Sequence, residues 1–454
     1  MKTRLLNYWL MLRSSLWFIP TLMTLSAIAL ALLTIVVDRS IDQPHLMGEE
    51  FLYTLGPSGA RTLLATVAGS VITVAGVVFS ITIVALTLAS SHFGPRLLKN
   101  FMKDMGNQVV LGTFIATFLY CLLVLGAIRE NGDHIFVPHI SVLVGLLLTL
   151  ASMGVFIFFI HHISMSIHAD TVVAGVSREL KASINQLFPK KVGESPPSHT
   201  PPLDDVLPSG FMQDSIPFVS RSSGYLQAID HPGVMALAKK QDVLIQLLYR
   251  PGEFIVEGET IGKIWPPGQA TEALIGDLQE SFLIGSQRTE EQDIEFAIHQ
   301  LVEVALRALS PGINDPFTAI SCIDRLGDAL TLLSERVLPS SCCYDEEHIL
   351  RVITYPLTID GIFDAAFNQL RQYGCVSVAV GLRLLEVFSV IVQNTDNTQV
   401  HQAIRRHATM VKEAMVDHTS ELFDRREVEE RYGLVLRHVS PKEEASEGGA
   451  RSRI

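Results

Sequence analysis

Hydrophobic positions crowd the first third of the chain into four long blocks. Beyond residue 162 they settle into the shorter periodic patterns of a soluble protein. The blocks run over 17–37, 62–90, 109–128 and 137–160, and none contains Asp, Glu, Lys or Arg. Each is about the length needed to cross a hydrocarbon core of ~30 Å as a helix rising ~1.5 Å per residue. The first block has signal-peptide features, with Lys2, Arg4 and Arg13 ahead of it and Ala27-Ile28-Ala29 as a cleavage-like triplet. Its apolar run is too long for a typical signal core and continues past that triplet, so an uncleaved span is expected.

The loops set the orientation. Lys2, Arg4 and Arg13 precede the first span, Arg96, Lys99 and Lys103 lie between the second and third, and Arg178 and Lys181 follow the fourth. The opposite side has Arg39, Arg61 and Arg129 among Asp38, Asp42, Glu49, Glu50, Glu130 and Asp133. Positive charge on the inner side predicts both termini in the cytoplasm.

The second span carries the most pattern. At 100° per residue, Thr66, Gly69, Ser70, Thr73, Gly76, Val77, Ser80, Val84, Thr87 and Ser91 share about a third of the circumference. Val67, Val71, Ile72, Val74, Val78, Phe79 and Leu86 occupy the other faces. The expectation is that the bulky faces meet lipid and the small, hydroxylated stripe meets protein or water. Gly69/Thr73 and Gly76/Ser80 are small-xxx-small pairs suited to close helix packing. The same stripe also suits a pore-lining helix, with hydroxyl rings and with Val77 and Val84 as apolar constrictions. Gly94 and Pro95 end the helix. Pro95–Met105 reads as an amphipathic elbow on the inner leaflet, either a coupling element or an anchor. The span interiors lack Asp, Glu, Lys, Arg and His, with His139 only at the outer edge of the fourth, which disfavours a proton-coupled pump but not a channel. His161, His162 and His168 follow the fourth span and read as a boundary cluster.

After a juxtamembrane helix, 164–187, seven prolines between Pro189 and Pro217 mark a linker. Short strand-like runs at 224–229, 243–249, 254–256 and 260–265, with Pro/Gly turns between them, predict a small β-rich subdomain over 218–268. The 252–262 pattern resembles barrel-sandwich modules but lacks a lysine at a tight turn for biotin or lipoate. From Thr271 the periodicity becomes helical, predicting a helical subdomain over 269–438 and a disordered tail over 439–454. Arg288, Glu290, Glu291 and Asp293 read as a solvated helix start. The loop Ser310-Pro-Gly-Ile-Asn-Asp-Pro316 offers Ser310, Asn314 and Asp315 as a cytosolic site candidate. The plainer reading is a helix hairpin capped by Asn314 or Asp315, with Pro316 as its first helical residue.

Composition narrows the function. Of 454 residues 48% are hydrophobic and only 18% charged, which excludes a purely soluble protein, and five cysteines cannot staple a chain of this size. The net charge of −12 argues against a nucleic-acid partner. Cys322, Cys342, Cys343 and Cys375 suit a reducing compartment, and vicinal Cys342-Cys343 reads as two free thiols rather than a redox pair or metal site. No phosphate-binding loop, dinucleotide fingerprint or nucleophile elbow is present, so neither a cofactor nor an enzymatic activity is expected.

The runs Phe79–Arg96, Gly224–Asp230 and Arg307–Ala319 resemble a bacterial family of predicted integral membrane proteins of unknown function, domain of unknown function 2254. The resemblance covers most of the chain and implies no activity. The fold expected is a transmembrane all-α domain of four helices over 1–163, a juxtamembrane helix and linker over 164–217, and a C-terminal cytosolic α+β domain. The function expected is a homo-oligomeric ion channel or channel-like pore of the bacterial inner membrane, lined by the second span and controlled by the cytosolic domain. The alternative is a non-conducting sensor or scaffold whose cytosolic domain recruits a partner. Lipid and ions are the partners this reading requires.

Overall fold

The computed structural model describes residues 17–40, 56–97, 101, 104–131, 134–188, 207–355 and 357–439. Residues 98–100, 102 and 103 of the expected elbow, the 189–206 part of the linker and the tail from 440 lie outside the described residues. The chain divides into two compact units, 1–172 and 173–454.

In the first unit the four spans are α1 (Phe18–Ser40), α2 (Pro57–Phe93), α3 (Met105–Ala127) and α4 (His139–Ser166), with a short hairpin, β1 (Arg129–Asn131) and β2 (His134–Phe136), between the last two. α3 is the central helix and packs against each of the other three. Half of its apolar window is buried, against 22% for α2.

Polar groups clamp the bundle where apolar attraction between helices is weak. The Tyr120 hydroxyl of α3 lies 3.0 Å from Thr34 Oγ1 of α1 and donates to Ser141 O of α4 at 3.1 Å. Thr117 and Ser152 pair their hydroxyls at 3.0 Å across α3 and α4. α4 begins without a side-chain cap of its own. Asp38, at the end of α1, supplies one. Its oxygens accept from the backbone N–H groups of Ile140 and Ser141 at 3.0 Å and from Ser141 Oγ at 2.6 Å. A carboxylate is favoured there by the free N–H groups and the positive end of the helix dipole. At the opposite ends Asp104 caps α3 through Gly106 N at 2.7 Å and also holds His162 of α4 at 2.9 Å. α2 ends at Gly94, whose φ of 104° suits glycine, and Pro95 opens a single 3-10 turn.

The second unit starts within α5 (Ala169–Leu187), whose Val173, Val176, Leu180 and Ile184 form a buried stripe at helical spacing. α6 (Phe211–Asp214), β3 (Ile216–Val219), β4 (Gly224–Ile229), α7 (His231–Gln241), β5 (Leu244–Leu247), β6 (Phe254–Ile255), β7 (Thr260–Trp265), α8 (Glu272–Glu280) and β8 (Phe282–Gly285) follow. Then come α9 (Ile294–Ala308), α10 (Pro316–Ser334), β9 (Cys342–Tyr344), β10 (Leu350–Ile353), α11 (Ile359–Gly374), α12 (Val378–Gln393), α13 (Thr398–His418) and α14 (Leu422–Val439).

Two sheets, β3-β7-β5-β10-β9 and β6-β4-β8, share a core that includes Phe218, Leu226, Ile245, Ile264, Phe282 and Val352. The strands therefore extend past the 218–268 interval expected from the sequence: β8, β9 and β10 all lie inside the interval expected to be helical. They are short. β10 also pairs with β5 in parallel, a partner more than 100 residues away that no local pattern announces.

The six helices α9–α14 pack together. His407 of α13 is fully buried, its ring 5.9 Å from that of Phe367 in α11 and 6.3 Å from that of Phe388 in α12. Nε2 lies 3.1 Å from Asp364 Oδ1 but outside hydrogen-bond geometry. Burial and the neighbouring Arg406 charge push its pKa down to about 4, against the opposing pull of Asp364. The imidazole is thus held neutral. Between pH ~6.5 and ~4 the unfolded chain binds one proton more than the folded one, so stability falls as pH drops through that window, by at most about 1.4 kcal/mol per pH unit. His407→Leu is expected to flatten this slope in denaturant titrations run at several pH values. An unchanged slope would place the acid sensitivity elsewhere.

Candidate functional site

The α2 stripe has an unexpected setting. α2 buries Ala60, Leu64, Ala68, Val71, Ala75, Val78, Ala85 and Ala89 inside the bundle, and every residue of the predicted stripe from Thr66 to Ser91 is exposed on the single chain. The expectation that Val71 and Val78 face lipid is corrected. The alanines let α2 approach its neighbours closely, and the two valines fall on the same seam. A Cβ added at Gly69 or Gly76 would meet nothing within 4 Å. The hydroxyls are served by their own helix. Thr66, Ser70 and Thr73 donate to the carbonyl four residues back at 2.7–2.8 Å, and Thr87 and Ser91 do so at 2.9 Å. The stripe is therefore smooth, narrow and polar, and it needs no outside donor or acceptor at those five hydroxyls.

The Ser310–Pro316 loop is locally self-contained. Ser310 Oγ donates to Arg307 O at 2.7 Å, Asn314 takes a left-handed turn with φ of 50°, and Asp315 caps α10 through Thr318 N at 3.1 Å. The Thr318 hydroxyl bond lowers the Asp315 pKa. Of the two candidate caps, Asp315 is the one used. Ser310 borders an open groove that also includes Leu309 and Tyr373, and the groove brings no charged side chain to it.

The structure brings together a site that no local sequence pattern marks. A cavity of about 350 Å³ opens in the second unit where the sheets meet the helices. Its walls come from the end of α5 (Leu187, Phe188), the end of β5 with the following turn (Leu247 to Pro251), the start of α9, and the segments flanking β9 and β10. Two ion pairs form its polar side. Arg250 Nη2 donates to Glu295 Oε1 at 2.8 Å, and its guanidinium lies 6.0 Å from the centre of the Tyr355 ring. Behind this pair, Arg288 holds Asp293 with two bonds of 2.7 and 2.9 Å, while Asp293 also caps α9 through Phe296 N at 3.1 Å.

Asp293 is 3% exposed, so at this residue the solvated helix start expected over 288–293 is corrected to a buried, paired carboxylate, while Glu291 is exposed as expected. Burial raises its pKa, and Arg288 opposes that rise. Gly252, at φ 99°, closes the turn after Arg250, and a Cβ there would collide with the Asp293 carboxylate. The Gln292 amide bonds Ile229 N and O at 3.0 and 3.1 Å, extending the end of β4 like a further strand residue. His231 stands at the rim, where partial desolvation by the surrounding protein lowers its pKa. Cys343 on the wall is a free thiol whose pKa burial raises. Among the described residues no group of three or more His, Cys, Asp or Glu side chains is placed to hold a metal ion. The sequence signal that was available is the Arg-Pro-Gly turn at 250–252, which the strand pattern explained without a site.

A bundle of four apolar spans joined to a mixed α+β unit defines a multi-pass membrane protein with a distinct soluble-type domain. Residues 13–389 match the family model described as "Predicted membrane protein (DUF2254)", and the chain belongs to that family, as a bacterial membrane protein. It is 31% identical over 416 residues to an uncharacterized protein of Mycobacterium bovis and to one of Mycobacterium tuberculosis H37Rv, covering 89% of this chain and 76% of each relative. No solved structure matches.

The Gly252–Asp293–Arg288 cluster is open to a double-mutant test. Arg288→Ala leaves a buried carboxylate unpaired and is expected to cost about 3–5 kcal/mol. Gly252→Ala is expected to cost at least about 1–3 kcal/mol through backbone strain alone. Both changes disturb Asp293, so denaturant unfolding of the double variant should show less than the sum. Strict additivity would mean that the turn does not rest on the ion pair.

Proposed function

We propose that the protein is a homo-oligomeric inner-membrane channel, or channel-like pore, in which the α2 stripes of several copies surround a common axis and the cytosolic unit controls the opening. The observation that supports this reading is the exposure of the whole stripe. The bundle is completed on the alanine side of α2, so the small, hydroxylated side is left for another copy or for water. Narrow small-residue faces permit close helix approach, and outward hydroxyls can still turn toward ions. α2 has 37 residues and is about 55 Å long at 1.5 Å per residue, well beyond a ~30 Å core, so it projects from the bilayer. Val77 and Val84, 48% and 56% exposed, would form apolar rings in such an assembly.

One observation favours the second reading, a non-conducting sensor or scaffold. The stripe hydroxyls of Thr66, Ser70, Thr73, Thr87 and Ser91 already bond to their own backbone, so the face can pack dry against a neighbouring copy. Under either reading the activity is non-enzymatic.

Ion flux into liposomes separates the two. Val84→Ser gives an apolar ring a group that holds water, and resting flux is expected to rise. Gly76→Leu should close the path and reduce flux while the fold persists, because the added side chain has open space in the single chain. Val78→Ser, at a position 1% exposed inside the bundle, should instead cost about 1–3 kcal/mol of stability with no rise in flux. Identical flux from wild type and Val84→Ser under varied voltage, tension and salt would sink the pore and leave the scaffold.

The orientation rests on the lysine and arginine asymmetry of the loops. Reporter fusions after Gly48 and Gly448 are expected to read periplasmic and cytoplasmic respectively. A periplasmic reading at Gly448 would overturn the inside placement of the α+β unit.

A further inference from the structure

We infer that the cavity in the α+β unit is a binding site for an uncharged aromatic molecule that carries an amide-like edge. The size comes first. About 350 Å³ falls within the range of small-molecule sites and is lined mostly by apolar side chains. Leu187, Phe188, Leu247 and Leu357 make the apolar wall, and Tyr249 and Tyr355 add aromatic rings.

The charge argues against an anion. The two cations near the cavity, Arg250 and Arg288, are each engaged, with Glu295 and Asp293 respectively, so no positive charge is left in excess for a phosphate or carboxylate. The Tyr249 hydroxyl is committed to Glu259, and the Gln292 amide is fully spent on Ile229. The Arg250–Glu295 pair is different. A guanidinium has five N–H donors and a carboxylate two acceptor oxygens, and their mutual contact at 2.8 Å uses one of each. The pair thus sets donors beside an acceptor on one wall. A cis-amide edge, with its carbonyl next to its N–H, presents the reciprocal pattern. A neutral imidazole at His231, on the rim, adds one more donor or acceptor.

The site is built on rigid parts. Arg250 and Pro251 are held by the turn at Gly252, and Glu295 sits in the first turn of α9, which Asp293 caps. One wall belongs to α5, which begins three residues after the last residue of α4 in the chain. A molecule bound here therefore touches the helix that follows the fourth span.

Site-resolved alkylation tests this on the full-length protein in nanodiscs. Cys343 lines the cavity, whereas Cys322, Cys342 and Cys375 are buried, so N-ethylmaleimide at mildly alkaline pH, read by peptide mass spectrometry, reports the cavity and the fold together. The probe is quinolin-2-one, a neutral bicyclic lactam, and the comparator is naphthalene-2-sulfonate, a bicyclic anion. The lactam at about four times its Kd is expected to slow Cys343 alkylation about fivefold, and the sulfonate at the same concentration should leave it nearly unchanged.

Glu295→Leu should abolish the lactam's protection while the three buried thiols stay unreacted. If those thiols react, the variant has unfolded and Ser340→Trp decides instead, since it fills the cavity from an exposed loop and should also abolish protection. Unslowed alkylation of the wild type, equal protection by the sulfonate, or protection that persists in a folded variant would each overturn the assignment.

Discussion

The packing of α3 against α2 governs the membrane unit. A helix with an alanine seam on one side and a hydroxylated stripe on another can bury only one of them inside a four-helix bundle. The seam of Ala60, Ala68, Ala75, Ala85 and Ala89 is buried in the bundle, and Leu64, Val71 and Val78 interlock beside it. Everything distinctive about α2 is consequently turned outward. In the bilayer both faces are compatible with lipid, so the choice rests on how closely two backbones can approach, and alanine serves that better than threonine.

The ends of the bundle obey a different rule. Backbone groups at a span's end have no partner within their own helix. Here two carboxylates outside the apolar runs supply them: Asp38 for α4 and Asp104 for α3. Arg61 does the same for the carbonyl of Ile128, at 3.0 Å. In the sequence Asp38 and Arg61 stand out only as loop charges that report sidedness. Their structural role is as direct as their topological one.

Much of the architecture was legible because its causes are local. The four apolar blocks, the Gly94-Pro95 stop, a cap at Asn314 or Asp315 and most helices of the second unit follow from period, length and punctuation. What escaped notice depends on partners far along the chain. From the sequence the bulky faces of α2 suit lipid, since nothing near Val71 or Val78 reveals that α3 lies against them. Arg288 and Asp293 read as a solvated charge run because the turn at Gly252 that helps bury Asp293 is more than 30 residues earlier. The cavity shared both handicaps. It is assembled from seven stretches of chain, and its polar residues, taken singly, look like ordinary surface.

The parallel pairing of β5 with β10 has a consequence for how this unit can be made. Leu244–Leu247 must wait for Leu350–Ile353, and α8, α9 and α10 are all synthesised between them. Until then β5 has β7 on one side and an open row of backbone donors and acceptors on the other, the kind of edge that recruits foreign strands. The small β-rich region is thus not an autonomous module that folds first and waits. It is completed late, by a strand delivered from inside the helical region. Long-range closure of this type slows folding and lengthens the time for which the edge stays exposed. A chain interrupted between α10 and β10 would carry nearly all of the β-rich sequence and still lack the strand that seals it.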